Sequence, residues 1–100
     1  MQLEVAMRSA LSLAKRGIGC CSPNPSVGCL ILDRSNNLIG MGRTSDKGRP
    51  HAEMNALNSL TASSKGATAI VTLEPCAHKD TSPSCAELLI NAGIKHVVIS

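Results

Sequence analysis

Apolar residues recur at helical spacing in the first part of the chain. From Leu3 onwards they fall three or four residues apart, which is the period of a helix with one buried face. Lys15-Arg16-Gly17 then supplies the cations and the glycine typical of a helix end. We therefore predict a first helix that packs one face on the core. The residues predicted to form that face are Leu3, Met7, Ala10, Leu11 and Ala14.

A β-hairpin is predicted to follow. Two mostly apolar runs, residues 27–32 and 38–41, flank the polar turn 33–37, which is the pattern of two strands joined by a short connection. Gly40 and Gly42 are expected to let the second strand bend at its end.

The second half of the chain alternates helices and strands. Ser84 and Glu87 form a capping box that opens a helix, and Gly93 ends it. The other predicted elements are a helix from Pro50 towards Leu60 and strands over 69–73 and 96–100. This order predicts an α/β sandwich with a mixed central sheet and helices on both faces. Because a parallel strand is usually covered on both sides, the domain is expected to be truncated at its carboxyl end.

Length, charge and composition bound the class of protein. The 100 residues, 1–100, make one domain with room for an ordinary core. The formal net charge of +3 is scattered from Arg8 to Lys95 without a basic stripe. The chain has no Phe, Tyr or Trp on which nucleic-acid bases could stack. We therefore expect no nucleic-acid partner and a small substrate held by hydrogen bonds.

The amino terminus and the cysteines indicate the compartment. No secretion signal is visible, and the longest apolar run, 27–32, is too short to span a bilayer. Five cysteines in such a chain are more often ligands or catalysts than disulfides. We expect a cytoplasmic protein without a membrane partner, in which Cys29 is a buried small hydrophobic residue.

Candidate metal ligands occur at three places along the chain. His51, Cys76 and Cys85 supply one imidazole and two thiols, and Glu53 supplies an unattached carboxylate. Three protein ligands leave a tetrahedral Zn²⁺ with one position for water, as in catalytic zinc sites. H-x-E followed by P-C and a second cysteine is the signature of zinc-dependent nucleobase deaminases. One zinc ion per chain is therefore predicted.

The predicted elements bring these ligands towards one edge of the sheet. His51 follows the proline that starts a helix, and Cys76 follows the carboxyl end of a strand. The capping box places Cys85 in the first turn of a helix, which favours the thiolate that zinc requires. Two alternatives remain: a structural zinc with His78 as the fourth ligand, or no metal. Glu53 could equally be a carboxylate that complements a helix dipole.

Hydrolytic deamination is the reaction that this set of residues predicts. Zinc makes hydroxide available at cellular pH by lowering the pKa of a water molecule. Glu53 would take the proton of that water and return it to the ring nitrogen and the leaving amine. Hydroxide then adds to an amino-bearing ring carbon, and ammonia leaves.

Four motifs occur in order along the whole chain: SPNPSVG at 22–28, GRPHAE at 48–53, TLEPCAH at 72–78, and Cys85 with LINAG at 89–93. In this order they closely resemble the deaminase domain of the bifunctional riboflavin-biosynthesis deaminase/reductase family. The resemblance implies a cytidine-deaminase-like three-layer sandwich, here without its last strand and helix and without the reductase domain. It also implies homo-oligomers and the substrate 2,5-diamino-6-ribosylamino-4(3H)-pyrimidinone 5′-phosphate.

The resemblance also assigns roles to single residues. It makes His51, Cys76 and Cys85 the zinc ligands and Glu53 the acid/base. Asn24, His78 and Lys79 would then contact the substrate, Lys79 as a phosphate partner. Each of these three has a simpler alternative. Asn24 could be ordinary turn chemistry, His78 a hydrogen-bond partner behind the ligands, and Lys79 a solvated loop lysine.

Thr44 and the segment 79–84 depart from the family pattern, which has a histidine and a basic residue at the corresponding places. Two functional hypotheses follow. The first is a zinc-dependent deaminase of a phosphorylated diaminopyrimidine. The second is a truncated deaminase-like module that binds zinc or a partner with little or no turnover.

Overall fold

Seven elements make up the part of the chain that the computed structural model describes, namely residues 1–17, 26–46, 51–72 and 85–99, with the backbone only at Cys85. They are α1 (Leu3–Lys15), β1 (Gly28–Leu32), β2 (Leu38–Arg43), α2 (Ala52–Asn58), β3 (Thr68–Val71), α3 (Cys85–Asn91) and β4 (His96–Ile99). Their order is the one that the hydrophobic pattern predicts.

The four strands form one mixed sheet in the order β2-β1-β3-β4. β1 lies antiparallel to both β2 and β3, whereas β3 and β4 are parallel. The predicted hairpin is β1 and β2, which are joined by a turn in which Asn36 has a φ of 63°. The mixed sheet predicted from the sequence is confirmed.

Helices cover both faces of the sheet. On one face Ala6 and Ala10 of α1 pack with Leu30, Leu32 and Ile70. On the other face, α2 and α3 close a second core cluster, which includes Cys29, Ile31, Ala52, Ala56, Val71 and Leu89. The three-layer arrangement is therefore confirmed, and so is the prediction that Cys29 is buried.

The buried face of α1 differs from the predicted one. Ala6, Ala10 and Ala14 are buried, but Leu3 and Leu11 are 46% and 41% exposed, so the prediction for these two leucines was wrong. The reason is the closeness of the helix to β1. A Cβ atom on Gly28 would overlap the carbonyl oxygen of Ala10. At that separation the helix residues that face the sheet near Gly28 must be small, as Ala6, Ala10 and Ala14 are, and Leu3 and Leu11 lie to the side.

Glycines on β2 have a related role. A Cβ atom on Gly42 would lie 2.5 Å from the backbone nitrogen of Ala56, and one on Gly40 would lie 2.7 Å from its carbonyl oxygen. β2 continues through both glycines to Arg43. The two glycines let α2 approach the sheet closely, a role that the sequence pattern did not indicate.

Several element ends also differ from the prediction. α2 begins at Ala52 rather than at Pro50 and ends at Asn58, short of Leu60. β3 spans Thr68–Val71. Gly93 ends α3 with a φ of 83°, as predicted, whereas Ser84 of the capping box lies outside the described residues. None of the helices in the described ranges is long and apolar enough to cross a bilayer.

β4 is an edge strand with an incompletely covered face. Val97 and Ile99 are 42% and 43% exposed. They line an apolar groove of about 270 Å³ with Ile90 and Ile94, between β4 and α3. Among the described residues, these side chains of α3 and β4 are thus left partly uncovered.

Candidate active site

Two helices, α2 and α3, begin at the same edge of the sheet. The register pairs Gly28 at the start of β1 with Arg43 at the end of β2, and Cys29 with Val71 at the end of β3. The carboxyl ends of β2 and β3 therefore meet at this edge. α2 follows β2 and α3 follows β3 along the chain, so both helices begin here. Open α/β sheets bind their ligands at such an edge.

The described candidate residues lie at these helix starts. His51 is the N-cap of α2, half-buried, with extended backbone angles (φ −72°, ψ 165°). Glu53 lies in the first turn of the same helix, and Cys85 is the first residue of α3. α2 and α3 pack against each other. The other four candidates, Asn24, Cys76, His78 and Lys79, lie outside the described residues.

Glu53 is buried although it carries an ionisable carboxyl group. Only 3% of the residue is exposed. Burial raises the pKa of the Glu53 carboxyl above its ordinary value, because the charged form loses its water. The backbone N–H of Glu53 and the positive charge of His51 oppose this shift, and lower the pKa to a smaller extent. A surface carboxylate that only complements a helix dipole would be exposed, so this burial disfavours that alternative.

The described residues are compatible with a zinc site, although they hold only part of the predicted donor set. Within residues 1–17, 26–46, 51–72 and 85–99, no three His, Cys, Asp or Glu groups are close enough to bind a metal. One of the predicted thiols lies outside these ranges, and at Cys85 only the backbone is described. An imidazole and a cysteine at adjacent helix starts, with a buried carboxylate beside the imidazole, are the donor types that catalytic zinc uses.

Asn55 binds the residues at the end of β2, beside the candidate site. Its side-chain amide donates to the carbonyl oxygen of Arg43 at 2.7 Å and to the hydroxyl of Ser45 at 2.8 Å. α2 is thereby attached, two residues after Glu53, to the chain that leads out of β2. The sequence analysis missed this residue, since a polar position in a short helix has no distinguishing pattern.

Two buried threonines hold the start of β1 from both sides. Thr44 accepts a hydrogen bond from the backbone N–H of Val27 at 2.9 Å and donates its own N–H to the Val27 carbonyl at 2.9 Å. Thr72 makes the same pair of bonds with Gly28, each at 3.1 Å. The hydroxyl of Ser26 donates to a carbonyl at the end of α1, that of Ala14. Residues 26–28 are therefore anchored to three separate elements.

Removing the Thr72 hydroxyl is expected to destabilise the fold. In Thr72→Val the buried N–H of Gly28 loses its acceptor, at a cost of about 1–3 kcal/mol in the free energy of unfolding. Urea denaturation followed by circular dichroism measures this change. Thr61→Val is the matched control, because Thr61 is exposed and its hydroxyl makes only a long bond of 3.4 Å. Equal destabilisation of both variants would contradict the anchoring role.

Comparison with known proteins places the chain in a family. All of it, residues 1–100, matches the cytidine and deoxycytidylate deaminase zinc-binding region. The chain belongs to this family. Membership in the cytidine and deoxycytidylate deaminase family agrees with the mixed sheet, the two helix layers and the site edge described above. It implies the use of zinc.

Curated relatives include proteins of riboflavin biosynthesis. The chain is 47% identical over 100 residues to the riboflavin biosynthesis protein RibD of Escherichia coli K12, covering all of this chain and 27% of that protein. It is 45% identical over 94 residues to the diaminohydroxyphosphoribosylamino-pyrimidine deaminase of Buchnera aphidicola, covering 94% of this chain and 63% of that protein. The chain thus spans about a quarter of the length of RibD. The resemblance seen in the sequence motifs is confirmed.

Solved structures of this family share the fold. RibD of Acinetobacter baumannii superposes with a TM-score of 0.89 at 47% identity, covering 98% of this chain and 27% of that chain. The dCMP deaminase of cyanophage S-TIM5 superposes with a TM-score of 0.76 at 21% identity, covering 99% and 84%. At this lower identity the likeness concerns the fold alone. The cytidine-deaminase-like fold is confirmed.

Proposed function

We propose that this chain is a zinc-dependent hydrolytic deaminase of riboflavin biosynthesis. Its substrate would be 2,5-diamino-6-ribosylamino-4(3H)-pyrimidinone 5′-phosphate, and the reaction releases ammonia. The proposal is supported by the family and by a relative that is named as a deaminase of such a pyrimidine. Domain 1–100 would carry this activity, and any reductase activity would belong to a domain or partner outside these residues.

The observation that carries the proposal is the burial of Glu53 next to His51. A carboxylate with 3% exposure at the start of a helix has lost most of its water without an ion pair among the described residues. Such an arrangement is costly for the fold and is typical of groups that serve chemistry. Its position at the carboxyl edge of β3 is where a substrate would enter.

His51, Cys76 and Cys85 would hold one zinc ion per chain. When bound there, zinc supplies Lewis acidity that makes a water molecule acidic enough to react at neutral pH. His51 would contribute a ring nitrogen from the N-cap position of α2, and Cys85 would contribute a thiolate from the first position of α3. Cys76 would contribute the second thiolate from the chain after β3.

Glu53 would move the protons of the reaction. Its carboxylate accepts a proton from the attacking water, and its partly dehydrated surroundings make the protonated form accessible. That first proton would pass from Glu53 to the ring nitrogen. A second proton, taken from the hydroxyl group now on the ring carbon, would pass through Glu53 to the departing amine, so that the C–N bond breaks and ammonia leaves as the carbonyl forms. A single carboxyl group can serve both steps because it changes its protonation state between them.

Asn24, His78 and Lys79 would contact the substrate. The anchoring of Val27 by Thr44 and of Gly28 by Thr72 supports a role for Asn24, because it fixes the chain three and four residues further on. We further propose that the protein is cytoplasmic and forms homo-oligomers, and that its substrate is a small molecule rather than a nucleic acid.

Ammonia release tests the proposed reaction directly. The zinc-loaded chain is expected to release ammonia from the diaminopyrimidine 5′-phosphate, and far less from cytidine or dCMP at the same concentration. Ammonia release from dCMP alone would support the proposed hydrolytic deamination but reject the diaminopyrimidine 5′-phosphate as the substrate. A folded, zinc-loaded protein that releases no ammonia from any of the three would instead support a binding module without turnover.

Loss of a ligand is expected to release the metal. Cys85→Ser should lower the zinc affinity by a factor on the order of a hundred or more, because a thiolate donor is lost. Metal analysis of the purified protein should give about one zinc per chain before the change and little after it. Cys29→Ala is the matched control, since Cys29 is buried in the core and is not a proposed ligand. Full zinc content in Cys85→Ser would reject this ligand.

A further inference from the structure

A polar cavity lies at the opposite end of the sheet from the candidate active site. It has a volume of about 520 Å³. Thr68 at the start of β3 lines it, whereas the active-site edge begins beyond Val71 at the end of that strand. The four-residue distance from Thr68 to Thr72 corresponds to roughly 13 Å along a strand. The cavity is therefore separate from the proposed catalytic groups.

Three cationic or potentially cationic side chains surround this cavity. Arg34 follows β1, and Lys95 and His96 stand at the start of β4. Among the described residues none of them forms a salt bridge; the pair found there joins Arg43 and Asp46. Two separate segments of the fold, the turn after β1 and the chain that enters β4, thus bring nitrogen donors without an ion pair among the described residues to one place.

The position of Arg34 depends on the absence of a side chain at Gly66. A Cβ atom on Gly66 would overlap the Nε atom of Arg34. Gly66 has a φ of 76°, which is a backbone conformation that favours glycine. The exposed Arg34 side chain consequently lies against the turn at Gly66, at the rim of the cavity.

Asp33, which is the acidic residue among the described residues that line the cavity, is already engaged by its own turn. The carboxylate of Asp33 accepts hydrogen bonds from the N–H groups of Ser35 at 2.8 Å and Asn37 at 2.9 Å, and from the side-chain amide of Asn37 at 3.3 Å. It reduces the positive charge nearby, but its oxygens are occupied. Arg34 and Lys95 together outweigh it, and the Thr68 hydroxyl adds a neutral donor.

We propose that this cavity is a binding site for a phosphate group, carried by a small phosphorylated metabolite or present as free phosphate. The planar guanidinium of Arg34 offers two parallel N–H donors to phosphate oxygens. Lys95 adds a point charge, and Thr68 and His96 add hydrogen bonds. A volume of about 520 Å³ accommodates a ligand of the size of a sugar phosphate. This site is independent of the proposed deaminase reaction.

Titration of the full 100-residue chain tests the proposal. Ribose 5-phosphate and inorganic phosphate are added in separate arms at constant ionic strength, and the imidazole signals of His96 and His51 are followed by NMR. Saturable shifts of the His96 signals with little change at His51 are expected. Saturation in only one arm identifies the source of the phosphate group. Linear shifts, or equal shifts with chloride, would overturn the proposal.

A pair of variants separates a specific site from general screening of positive charge. Arg34→Ala combined with Lys95→Ala should weaken binding by roughly tenfold or more, because two charge-assisted contacts are lost. Lys15→Ala is the matched control, an exposed cation at the end of α1. It should leave the affinity within about twofold. An equal loss in both proteins would overturn the proposal. Neither change touches a buried side chain, so both proteins should fold.

Discussion

Glu53→Gln should reduce ammonia release by roughly two to four orders of magnitude, because the variant cannot carry a proton between water and the leaving amine. Zinc content should stay the same, since glutamine removes the charge without removing a ligand. The measurement is steady-state ammonia release from the diaminopyrimidine 5′-phosphate, together with metal analysis of the same sample. Activity close to that of the unchanged chain would exclude Glu53 from the mechanism.

The matched control is Glu4→Gln. Glu4 also stands in the first turn of a helix, but it is exposed. If Glu53 only complemented a helix dipole, both changes would cost a few tenths of a kcal/mol of stability and neither would affect turnover. A large loss confined to Glu53→Gln separates the catalytic role from this alternative.

Thermal unfolding of the Glu53→Gln variant tests whether a loss of activity comes from a loss of folded protein. Burial raises the pKa of Glu53, so the folded protein binds its proton more tightly than the unfolded chain does. Ionisation of this group therefore opposes folding as the pH rises above the ordinary pKa of 4.5. In metal-free protein at neutral pH, Glu53→Gln should melt higher, and the difference should vanish at pH values below that pKa.

Gly28→Ala is expected to cause the largest loss of stability of the single methyl additions. The new Cβ would overlap the carbonyl oxygen of Ala10 and lie 3.2 Å from the backbone nitrogen of Ala14. Both atoms belong to the backbone of α1, so no rotamer change relieves the overlap and the helix must move away from the sheet. We expect a loss of about 3 kcal/mol in the free energy of unfolding, measured by urea denaturation.

The stability loss of Gly28→Ala is to be compared with that of Gly93→Ala. Gly93 has a φ of 83°, and the nearest atom to an added Cβ is the Cα of Lys65 at 3.1 Å. Its cost arises mainly from the left-handed backbone and should be about 1–2 kcal/mol. If Gly28→Ala were no more destabilising than Gly93→Ala, the close contact between α1 and β1 would not contribute as described.

Hydrophobic spacing was sufficient to predict the order and type of the elements. The hairpin around residues 33–37 and the end of α3 at Gly93 follow from local chemistry, which the sequence contains. The exposure of Leu3 and Leu11 could not be predicted in this way. It depends on how closely α1 approaches β1, and that distance is set by Gly28, a residue distant in sequence.

In the candidate site, too, some features could be predicted from the sequence and others could not. His51, Glu53 and Cys85 were predicted from motif and spacing, and the helix starts that carry the two ligand candidates lie at one edge of the sheet. The burial of Glu53 required the packed structure, since a first-turn glutamate has the same local sequence whether it is exposed or enclosed. Thr44 and Thr72 were not predicted as anchors, because their partners are 17 and 44 residues away.

The contact between Gly28 and Ala10 limits how this protein can change during evolution. Because the overlap would involve a backbone oxygen of α1, no replacement of a single side chain on the helix can make room for a larger residue at position 28. The outward-facing leucines of α1 carry no such restriction. Substitutions should therefore accumulate on the outer face of this helix long before they appear where it touches the sheet.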